Sequence, residues 1–522
     1  MLRITRITLS IVFFTLITFF FIDFAGLLPN GFHALAHLQF VPAWCTHSVG
    51  IVLFIIVLTL VFGRIYCSSI CPMGVFQDIV AWISKRTARK KKRYSFSKAK
   101  TVLRWSVLVA VWLAFWAGFP LLLGLLDPYS AFGRMATHLL RPVYLFGNNL
   151  LADVFSHFDN YTFYEVQIGI LSVSSLIVAI VTFLAVAHFA WRHGRTFCNT
   201  LCPVGTVLGL VSRISLFKVR INTEKCNHCG LCATKCKAAC IDSKNQAIDY
   251  SRCVDCFDCL GSCKQKALAF TFNPSFLRRQ ESPAKKGIAG QARNDVDMNR
   301  RKFFAAGLAT AVATPAALAV GAKNFSPLSG GKGVTRQIPI APPGAISHEN
   351  LQTHCTSCHL CVSKCPSHVL KPSFLEYGLG GMMQPLMSFE DGFCNYNCTK
   401  CSNICPNGAL QALTTDGKHR TQMGHAVFNK DVCVVYVKGN NCGACAEHCP
   451  TQAVSMQPIE GKPGLTAPVV DTNICIGCGG CEFICPVRPH RAIFVEGNEV
   501  QGEAVVAQAE KTEEVELDGF GF

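Results

Sequence analysis

Cysteine spacing constrains this chain more than any other feature of its sequence. The chain has 522 residues, of which 30 are cysteines, and most of them fall in runs of the form C-x2-C-x2-C-x3-C. An even number of cysteines in a secreted protein suggests disulfide bonds, but this spacing is the one with which ferredoxins hold iron–sulfur clusters. The runs therefore predict cluster-binding domains rather than a disulfide framework.

The first such domain is predicted at 216–272, where the sequence reads CNHCGLCATKC and then CVDCFDCLGSC. In two-cluster ferredoxins the fourth cysteine of each run binds the cluster of the other run. The predicted ligand sets are therefore Cys226, Cys229, Cys232 and Cys263 for one cluster, and Cys253, Cys256, Cys259 and Cys236 for the other. Lys237 and Lys264 replace the usual proline after the fourth cysteine, and their charge would raise the cluster potentials. Cys240 is left over and is interpreted as a small buried side chain.

A second cluster-binding domain is predicted at 338–500, where four runs each end in Cys-Pro. The runs are Cys355, Cys358, Cys361 and Cys365; Cys394, Cys398, Cys401 and Cys405; Cys433, Cys442, Cys445 and Cys449; and Cys475, Cys478, Cys481 and Cys485. Zinc also binds four thiolates, but the repeated run with its terminal proline favours [4Fe–4S] clusters, six in the whole chain. The spacing leaves open whether the runs pair as neighbours or nested, first with fourth and second with third.

Apolar segments before residue 200 predict an α-helical membrane domain at 1–215. Four segments, at 7–29, 45–63, 104–126 and 165–190, are each close to the length that crosses a hydrocarbon layer of ~30 Å. The net charge of +17 comes in large part from the Lys85–Arg104 block between two of them. Such basic loops indicate membrane orientation rather than a nucleic-acid partner. Both ends of this four-span unit, and the α+β ferredoxin-like domain at 216–272, are therefore expected in the cytoplasm.

A segment that resembles a targeting signal lies in the middle of the chain. Residues 273–298 are polar and predict a linker, and 299–322 carries Arg300, Arg301, two phenylalanines and small apolar residues. This pattern resembles a twin-arginine export signal without the usual Ser or Thr before the pair; a fifth membrane span is the alternative. Either would place the 338–500 domain in the periplasm of a bacterial inner-membrane protein. The acidic tail at 501–522 is predicted to be disordered.

The sequences GRIYCSSICPMG and GRTFCNTLCPVG form an internal repeat, each directly after an apolar segment. The repeat puts Cys67, Cys71, Cys198 and Cys202 at the cytoplasmic face of the predicted membrane domain. Cysteines at i and i+4 share a helix face, so each pair can bind a metal, form a redox pair or join its twin in one four-thiol site. Packing of helix ends by small side chains is the alternative. Arg64 and Arg195, three residues before each first cysteine, would favour the thiolate form.

These motifs resemble known families. The paired GRxxCxxxCPxG motifs, the four apolar segments and the following two-cluster domain resemble the NapH-type membrane ferredoxins, whose motifs NosR-like and MauN-like proteins and cupric-reductase relatives share. The part from Arg300 onward resembles NapG and MauM, exported four-cluster ferredoxins. The resemblance implies a fusion of the two partners that transfers electrons between the quinone pool, or another membrane donor, and a periplasmic redox enzyme or cytochrome.

Histidines lie near the expected outer face of the membrane domain, in GFHALAHLQFVPAWCTHS. His33 and His37 are spaced at i and i+4, where a pair can bind a quinol headgroup and accept its protons, or bind a metal. His47 lies in the same stretch. The alternative is that these are interfacial histidines whose hydrogen bonds go to backbone or water. No histidine pair has the mid-span spacing expected for haem, so no haem is predicted.

Three functions compete on the sequence alone. The first is a membrane-bound electron-transfer protein that acts as a quinol dehydrogenase. The second is a metal reductase or maturation factor in which the paired thiols reduce copper or service another redox protein. The third is a regulator whose clusters sense redox state. Quinol-dependent cluster reduction would favour the first, and thiol-dependent reduction of a metal ion the second.

The predicted topology can be tested with reporter fusions. We expect a reporter after Phe270 to be active only in the cytoplasm and one after Phe522 only outside, because one more apolar segment lies between them. Changing Arg300→Lys and Arg301→Lys together should block export if the twin-arginine route is used. Unchanged export of the double variant would instead identify an ordinary signal anchor.

Overall fold

The structure is a computed structural model that describes residues 1–87, 94–166, 168–169, 171–272 and 336–506. The linker predicted at 273–298 and the twin-arginine-like segment at 299–322 lie outside the described residues, as does the chain from 507 onward.

Helices dominate the described part of the first 215 residues, because its long apolar stretches contain few glycines or prolines. The helices are α1 (Leu2–Ile22), α2 (Ala34–His37), α3 (Phe40–Cys45), α4 (Val49–Phe62), α5 (Ile65–Ser69), α6 (Pro72–Thr87), α7 (Thr101–Trp116), α8 (Leu121–Leu126), α9 (Pro128–Met135), α10 (Arg141–Ser156), α11 (Val173–His193), α12 (Thr196–Thr200) and α13 (Pro203–Val211). A π-helical turn, Ala136–Leu140, joins α9 to α10, and short 3-10 turns cover Asn30–His33 and Ser212–Ile214.

Among the described residues, two helices have the length and apolar composition needed to cross a membrane. They are α1 and α11, with 21 residues each. The other two predicted spans are broken: 45–63 begins at the end of α3 and is interrupted at His47, whose φ is +52°, and 104–126 is interrupted at Gly118, whose φ is +77°. Their longest pieces, α4 with 14 residues and α7 with 16, are about 21 and 24 Å long at 1.5 Å per residue. Four full-length spans are therefore not confirmed.

The long helices present apolar side chains outward. Only 28% of the apolar window of α1 and 22% of that of α11 is buried inside the protein. Large side chains such as Leu53 on α4, Trp112 on α7 and Val181 on α11 are more than half exposed. Such exposed apolar surface is typical of helices that lie against an apolar surrounding.

A small α/β unit follows α13. Strand β1 (Phe217–Ile221) pairs antiparallel with β4 (Leu268–Phe272), with Val219 opposite Phe270. Between them lie α14 (Leu231–Lys235), the short hairpin of β2 (Ile241–Asp242) and β3 (Ala247–Ile248), and a 3-10 turn at Leu260–Ser262. The short strands and turns hold the first two cysteine runs around one small apolar core.

The last described part, 336–506, is a larger α/β unit. It contains β5 (Leu370–Pro372) paired with β6 (Pro385–Met387), β7 (Thr421–Phe428) paired with β10 (Ile493–Glu503), and β8 (Val454–Pro458) paired with β9 (Thr466–Val470), all antiparallel. Its helices are α15 (His348–His354), α16 (Leu360–Lys364), α17 (Lys400–Asn403), α18 (Thr415–Arg420), α19 (Val434–Lys438), α20 (Ala444–Glu447) and α21 (Gly480–Ile484), with a 3-10 turn at Lys430–Val432. Strand β10 extends past the boundary predicted at 500, because the Gln501 side chain hydrogen-bonds to the backbone of Ala341, Pro342 and Gly344.

Helix α1 touches both α/β units, one at each end. In its first turn Arg3 pairs with Asp258 of the first unit at 2.9 Å. Directly after its last turn the buried Asp23 pairs with Lys364 of the second unit at 3.0 Å. A 21-residue helix is about 31 Å long. The two cysteine-rich units therefore lie at opposite ends of the helical part.

Asp78 on α6 joins the helices to the first α/β unit. Its buried carboxylate receives Arg6 at 3.0 Å, Arg195 at 2.8 Å and Lys237 at 3.5 Å. Burial alone would raise the pKa of Asp78, but Arg195, Lys237 and Arg6 hold it below its ordinary value. The Asp78 carboxylate thus compensates three cations: Arg6 of α1, Arg195 of the second repeat motif and Lys237, which follows the predicted ligand Cys236.

We expect Asp78→Asn to destabilise the protein strongly, by about 3–5 kcal/mol, because it leaves buried cations without their counter-charge. Thermal unfolding of the detergent-purified protein measures this. The matched control is Asp391→Asn, since Asp391 is exposed and pairs with Lys371 on the surface; its loss should cost about 0–1 kcal/mol. Equal effects of the two changes would contradict the central role of Asp78.

Candidate functional site

The two cysteine runs of the first α/β unit exchange their fourth cysteines. One cavity is lined by Cys226, Cys229 and Cys232 together with Cys263 from the second run. A second cavity is lined by Cys253, Cys256 and Cys259 together with Cys236 from the first run. The structure thus brings together both sets of thiols that the spacing predicts.

The four runs of the 336–506 unit pair as neighbours. One cavity is lined by Cys394, Cys398 and Cys401 with Cys365, the fourth cysteine of the preceding run. Another is lined by Cys433, Cys442 and Cys445 with Cys485, the fourth cysteine of the following run. The reciprocal sets, Cys355, Cys358 and Cys361 with Cys405, and Cys475, Cys478 and Cys481 with Cys449, are close enough to interact electrostatically. In the described residues the nested arrangement does not occur.

The loops between the cysteines turn tightly so that three thiols face one centre. Ser357 and His359, in the run that begins at Cys355, have φ of +53° and +63°. Gly477 and Gly479, in the run that begins at Cys475, have φ of +73° and +79°. The backbone also turns N–H groups towards sulfur: Ser357 N donates to Cys355 Sγ at 3.4 Å. Such donors stabilise the negative charge of metal-bound thiolates.

These cavities fit a cube-shaped cluster. At least four thiols line each one, as [4Fe–4S] clusters require. Within the described ranges, no group of three or more Cys, His, Asp or Glu side chains converges on a single metal ion. The thiols that hold a cube stand further apart than ligands around one ion, since iron and sulfide lie between them.

Cys240 does more than fill space in the first unit. Its sulfur lies 3.5 Å from that of Cys236, and it lines the same cavity as the four predicted ligands there. The cavity therefore has five thiols. Sequence spacing alone did not indicate this, because Cys240 falls outside the regular run.

The four cysteines of the internal repeat also meet. Cys67, Cys71, Cys198 and Cys202 are each 3–4% exposed, and all four pack into the same buried core. They are close enough that a thiolate at one would raise the pKa of another. Cys202 sits at the N-terminus of α13, where Gly205 N donates to its sulfur at 3.3 Å. Thiols from two motifs 131 positions apart thus lie in one buried group, which we call the four-thiol group.

The arginines of the two motifs cross over to the opposite motif. Arg64 Nη2 donates to the carbonyl of Cys198 at 3.3 Å, and Arg195 Nη1 donates to the carbonyl of Cys67 at 2.6 Å. The last glycine of each motif makes room for this contact, since a Cβ on Gly74 would lie 2.1 Å from the Cys67 oxygen. The repeated arginine and the last glycine of each motif thereby have a packing reason.

The first glycine of each motif contacts the neighbouring cluster loop. Gly63 and Gly194 have φ of +74° and +70°. A Cβ there would lie 2.2 Å from Asp255 Oδ2 and 2.4 Å from the Lys237 carbonyl, respectively. Arg64 N donates to Asp255 at 2.9 Å, and Arg195 N donates to the Lys237 carbonyl at 3.0 Å. The four-thiol group therefore adjoins the cavity lined by Cys236 and Cys253.

The two halves of the group differ in a side-chain amide that donates to sulfur. Gln77 Nε2 donates to Cys198 Sγ at 3.0 Å, whereas the repeat places Leu208, which has no donor, at the equivalent position in the other half. Our sequence reasoning missed Gln77. The signal was available in the repeat, which aligns Gln77 with Leu208 and Asp78 with Gly209.

Burial outweighs the arginines in setting the charge of these thiols. It raises the pKa of Cys198, although Arg195, Arg64 and Gln77 all oppose the shift. The arginines thus act in the expected direction, towards the thiolate, but burial shifts the pKa of Cys198 further in the opposite direction. A bound metal would be needed to hold the sulfurs deprotonated.

The predicted histidines lie on the hairpin between α1 and α4. His33 ends the 3-10 turn Asn30–His33, His37 is half-buried at the end of α2, and His47 is exposed. Another histidine pair was not predicted: His138 Nε2 lies 2.9 Å from His359 Nδ1. The two are 221 residues apart, so only the docking of the 336–506 unit brings them together.

Family comparisons agree with the cysteine geometry. The family described as "4Fe-4S binding domain" matches residues 46–91, 175–222 and 401–423, so it includes both repeat motifs. Two families described as "4Fe-4S dicluster domain" match residues 439–488 and 249–369. No solved structure matches the chain.

Curated relatives are ferredoxin-type proteins. The chain is 38% identical over 152 residues to the methylamine utilization ferredoxin-type protein MauM of Methylobacillus flagellatus, a match covering 28% of this chain and 63% of that protein. It is 30% identical over 155 residues to ferredoxin-type protein NapG of Escherichia coli K12, covering 28% and 66%. The chain thus spans less than two thirds of the length of these relatives.

One further match is more extensive. Against MauM of Paracoccus denitrificans the chain is 35% identical over 164 residues, which cover 30% of this chain and 70% of that protein. The matched families and relatives together identify an iron–sulfur electron-transfer protein with several [4Fe–4S] clusters. The chain belongs to the family of MauM ferredoxin-type proteins.

Proposed function

We propose that this chain is a membrane-bound quinol dehydrogenase that exchanges electrons with a periplasmic redox enzyme or cytochrome. The observation that carries the proposal is the position of the two cysteine-rich units at opposite ends of helix α1. Arg3 pairs with one unit and Asp23 with the other. A protein built in this way has cluster-binding sites on both sides of its helical part.

Six sets of four thiols would hold the clusters in these units, two at 216–272 and four at 338–500. A [4Fe–4S] cluster bound there would accept and give up single electrons, with a potential set by its surroundings. The protein's role is to bind the clusters and to shield them from water. Half of these 24 cysteines are buried. Lys418 Nζ, itself fully buried, donates to Cys394 Sγ at 3.3 Å, which would stabilise the negative charge of that thiolate.

A membrane location accounts for the outward apolar faces of α1, α4, α7 and α11. We propose that the broken helices complete the crossing in pairs, α3 with α4 and α7 with α8, so that residues 1–215 form a four-span domain. Broken helices at membrane depth are tolerated where protein covers them, and α3 is buried along most of its length. The basic loops support a cytoplasmic location for the 216–272 unit, and the export-like segment at 299–322 supports a periplasmic location for the 338–500 unit.

The quinol site is proposed on the hairpin that carries His33 and His37. This hairpin adjoins the 336–506 unit, because a Cβ on Gly408 would lie 3.5 Å from Thr46. The buried Cys45 on the same hairpin is close enough to Cys405 to interact electrostatically. A quinol bound here would lie beside the site of Cys355, Cys358, Cys361 and Cys405, with a histidine to accept its protons.

The alternative, a thiol-dependent metal reductase or maturation factor, fits less well. Its thiols must be reached by a metal ion or by another protein. The four repeat thiols are each 3–4% exposed, and the arginines and cluster loops enclose them. Burial favours a permanently bound group over exchange with solvent.

The metal content tests the six sites. We expect about 24 irons and about 24 acid-labile sulfides per chain from them. Changing Cys442→Ala should remove about four of each, because one cube loses its attachment. Cys45→Ser is the matched control, since Cys45 is buried but belongs to none of the six sets. Stoichiometric zinc with little sulfide would overturn the assignment.

The rate of quinol oxidation tests whether this hairpin holds the quinol site. We expect the double change His33→Ala and His37→Ala to slow reduction of the clusters by a soluble quinol at least tenfold, while dithionite still reduces them fully. His47→Ala serves as the control on the same hairpin. If the double variant keeps wild-type rates with quinol, the quinol site lies elsewhere.

A further inference from the structure

We infer that the four-thiol group is one further iron–sulfur site, shared by the two halves of the repeat, in which Gln77 makes Cys198 the distinct ligand. The inference deepens the proposed function, on which it rests. Neither motif can form the site alone, because each supplies two thiols and the arginine that binds the carbonyl of the other motif.

The charge of the surroundings calls for an anionic group. Arg64 and Arg195 are at most 1% exposed. Asp78 compensates Arg195, but the acceptors of the Arg64 guanidinium among the described residues are neutral: the Asn199 amide oxygen at 3.0 Å and the carbonyls of Ser251 and Cys198. The Asp255 carboxylate lies beside Arg64 but accepts its backbone N–H rather than a guanidinium N–H, so an anion at the guanidinium would further stabilise this buried cation. Metal-bound thiolates would supply that charge, and Cys67 Sγ lies 3.8 Å from Arg64 Nη2.

Unpaired donors point to the same group. Arg64 Nε and Arg195 Nη2 are buried, and neither has a hydrogen-bond partner in the described structure. Buried polar atoms are almost always paired, so such an atom calls for a missing partner. The sulfides and thiolates of an iron–sulfur cluster accept N–H hydrogen bonds.

The four sulfur donors indicate which class of metal group the site would hold. Four sulfurs without a histidine or carboxylate ligand favour soft metals. The group is walled by the apolar side chains of one core that includes Val204 and Leu208 and also Val254 from the adjacent cluster loop. Such a site suits a resident cluster rather than an ion that exchanges with solvent.

Gln77 breaks the symmetry of the site. Hydrogen bonds to cluster sulfurs are among the factors that set the reduction potential. Donation from Gln77 Nε2 to Cys198 Sγ, without a counterpart at Leu208, would stabilise the reduced, more negative state of this site. Gln77 is therefore a positioning and tuning residue rather than a ligand.

Iron analysis of the full-length protein tests the site. We expect about 28 irons per chain in the wild type and about 24 in a variant with Cys67, Cys71, Cys198 and Cys202 all changed to Ala. The retained ferredoxin signals show that the variant has folded; if it fails to assemble, the single variant Cys198→Ser takes its place. About 24 irons in both proteins overturns this site but leaves the proposed function standing. Far fewer than 24 in the wild type refutes the proposed function itself.

If the four-thiol group held a single metal ion or a disulfide, the analyses would give different results. Loss of one zinc or copper ion per chain, instead of iron and sulfide, would overturn the inference. So would cysteine alkylation and mass analysis that find a disulfide within the four-thiol group.

Redox titration followed by electron paramagnetic resonance tests Gln77. Gln77→Leu, which copies the other half of the repeat, should lower the midpoint potential of the signal that depends on the four thiols, leave the other signals unchanged and retain about 28 irons. The reciprocal control, Leu208→Gln, should not lower it. An unchanged potential in Gln77→Leu with full iron content would refute the tuning role.

Discussion

The exchange of arginines between the two repeat motifs is the interaction on which the rest of the structure depends. Arg64 and Arg195 each bind the first cysteine carbonyl of the opposite motif, so helices that are far apart in sequence are held in one arrangement. Each arginine also reaches beyond the motifs, Arg64 to the Ser251 carbonyl and Arg195 to Asp78. The same contacts thus fix the helices to one another and to the first cluster-binding unit.

Buried charge explains why this arrangement is specific. Guanidinium groups in an apolar core are costly unless their hydrogen bonds and counter-charges are met. Asp78 meets the requirement for Arg195, Arg6 and Lys237 together, and the four thiols adjoin Arg64. If the motifs shifted in register, these cations would lose their hydrogen-bond acceptors and counter-charges. The fold and the candidate site therefore rely on the same electrostatic contacts.

The docking of the last unit has a different basis. Arg134 on α9 donates to the Ser357 carbonyl, the Ser130 hydroxyl contacts Thr356 Oγ1 at 2.8 Å, and Lys364 pairs with Asp23. Glycines at the contact allow close approach, since a Cβ on Gly124 would lie 2.5 Å from the Thr356 carbonyl. The loop that carries Cys355 and Cys358 is therefore seated on α8 and α9. This puts a cluster-binding loop directly on the helical part.

The sequence by itself determined the chemistry. Cysteine spacing is a local property, so the six cysteine runs, the exchange of the fourth cysteine at 216–272 and the repeat could be read without coordinates. Long apolar segments likewise predicted α1 and α11. The breaks at His47 and Gly118 were not predicted, although Gly118 and Pro120 are a local helix-breaking signal.

Only the tertiary structure decided which distant groups meet. It paired the four later runs as neighbours, gathered the thiols of two motifs, added Cys240 to a cluster cavity and brought His138 to His359. It also distinguished Gln77 from Leu208, although the repeat had aligned them. The physical reason is that spacing limits which ligands one loop can offer, whereas the partner of a buried arginine, thiol or amide is fixed by the packing of elements that lie far apart in the chain.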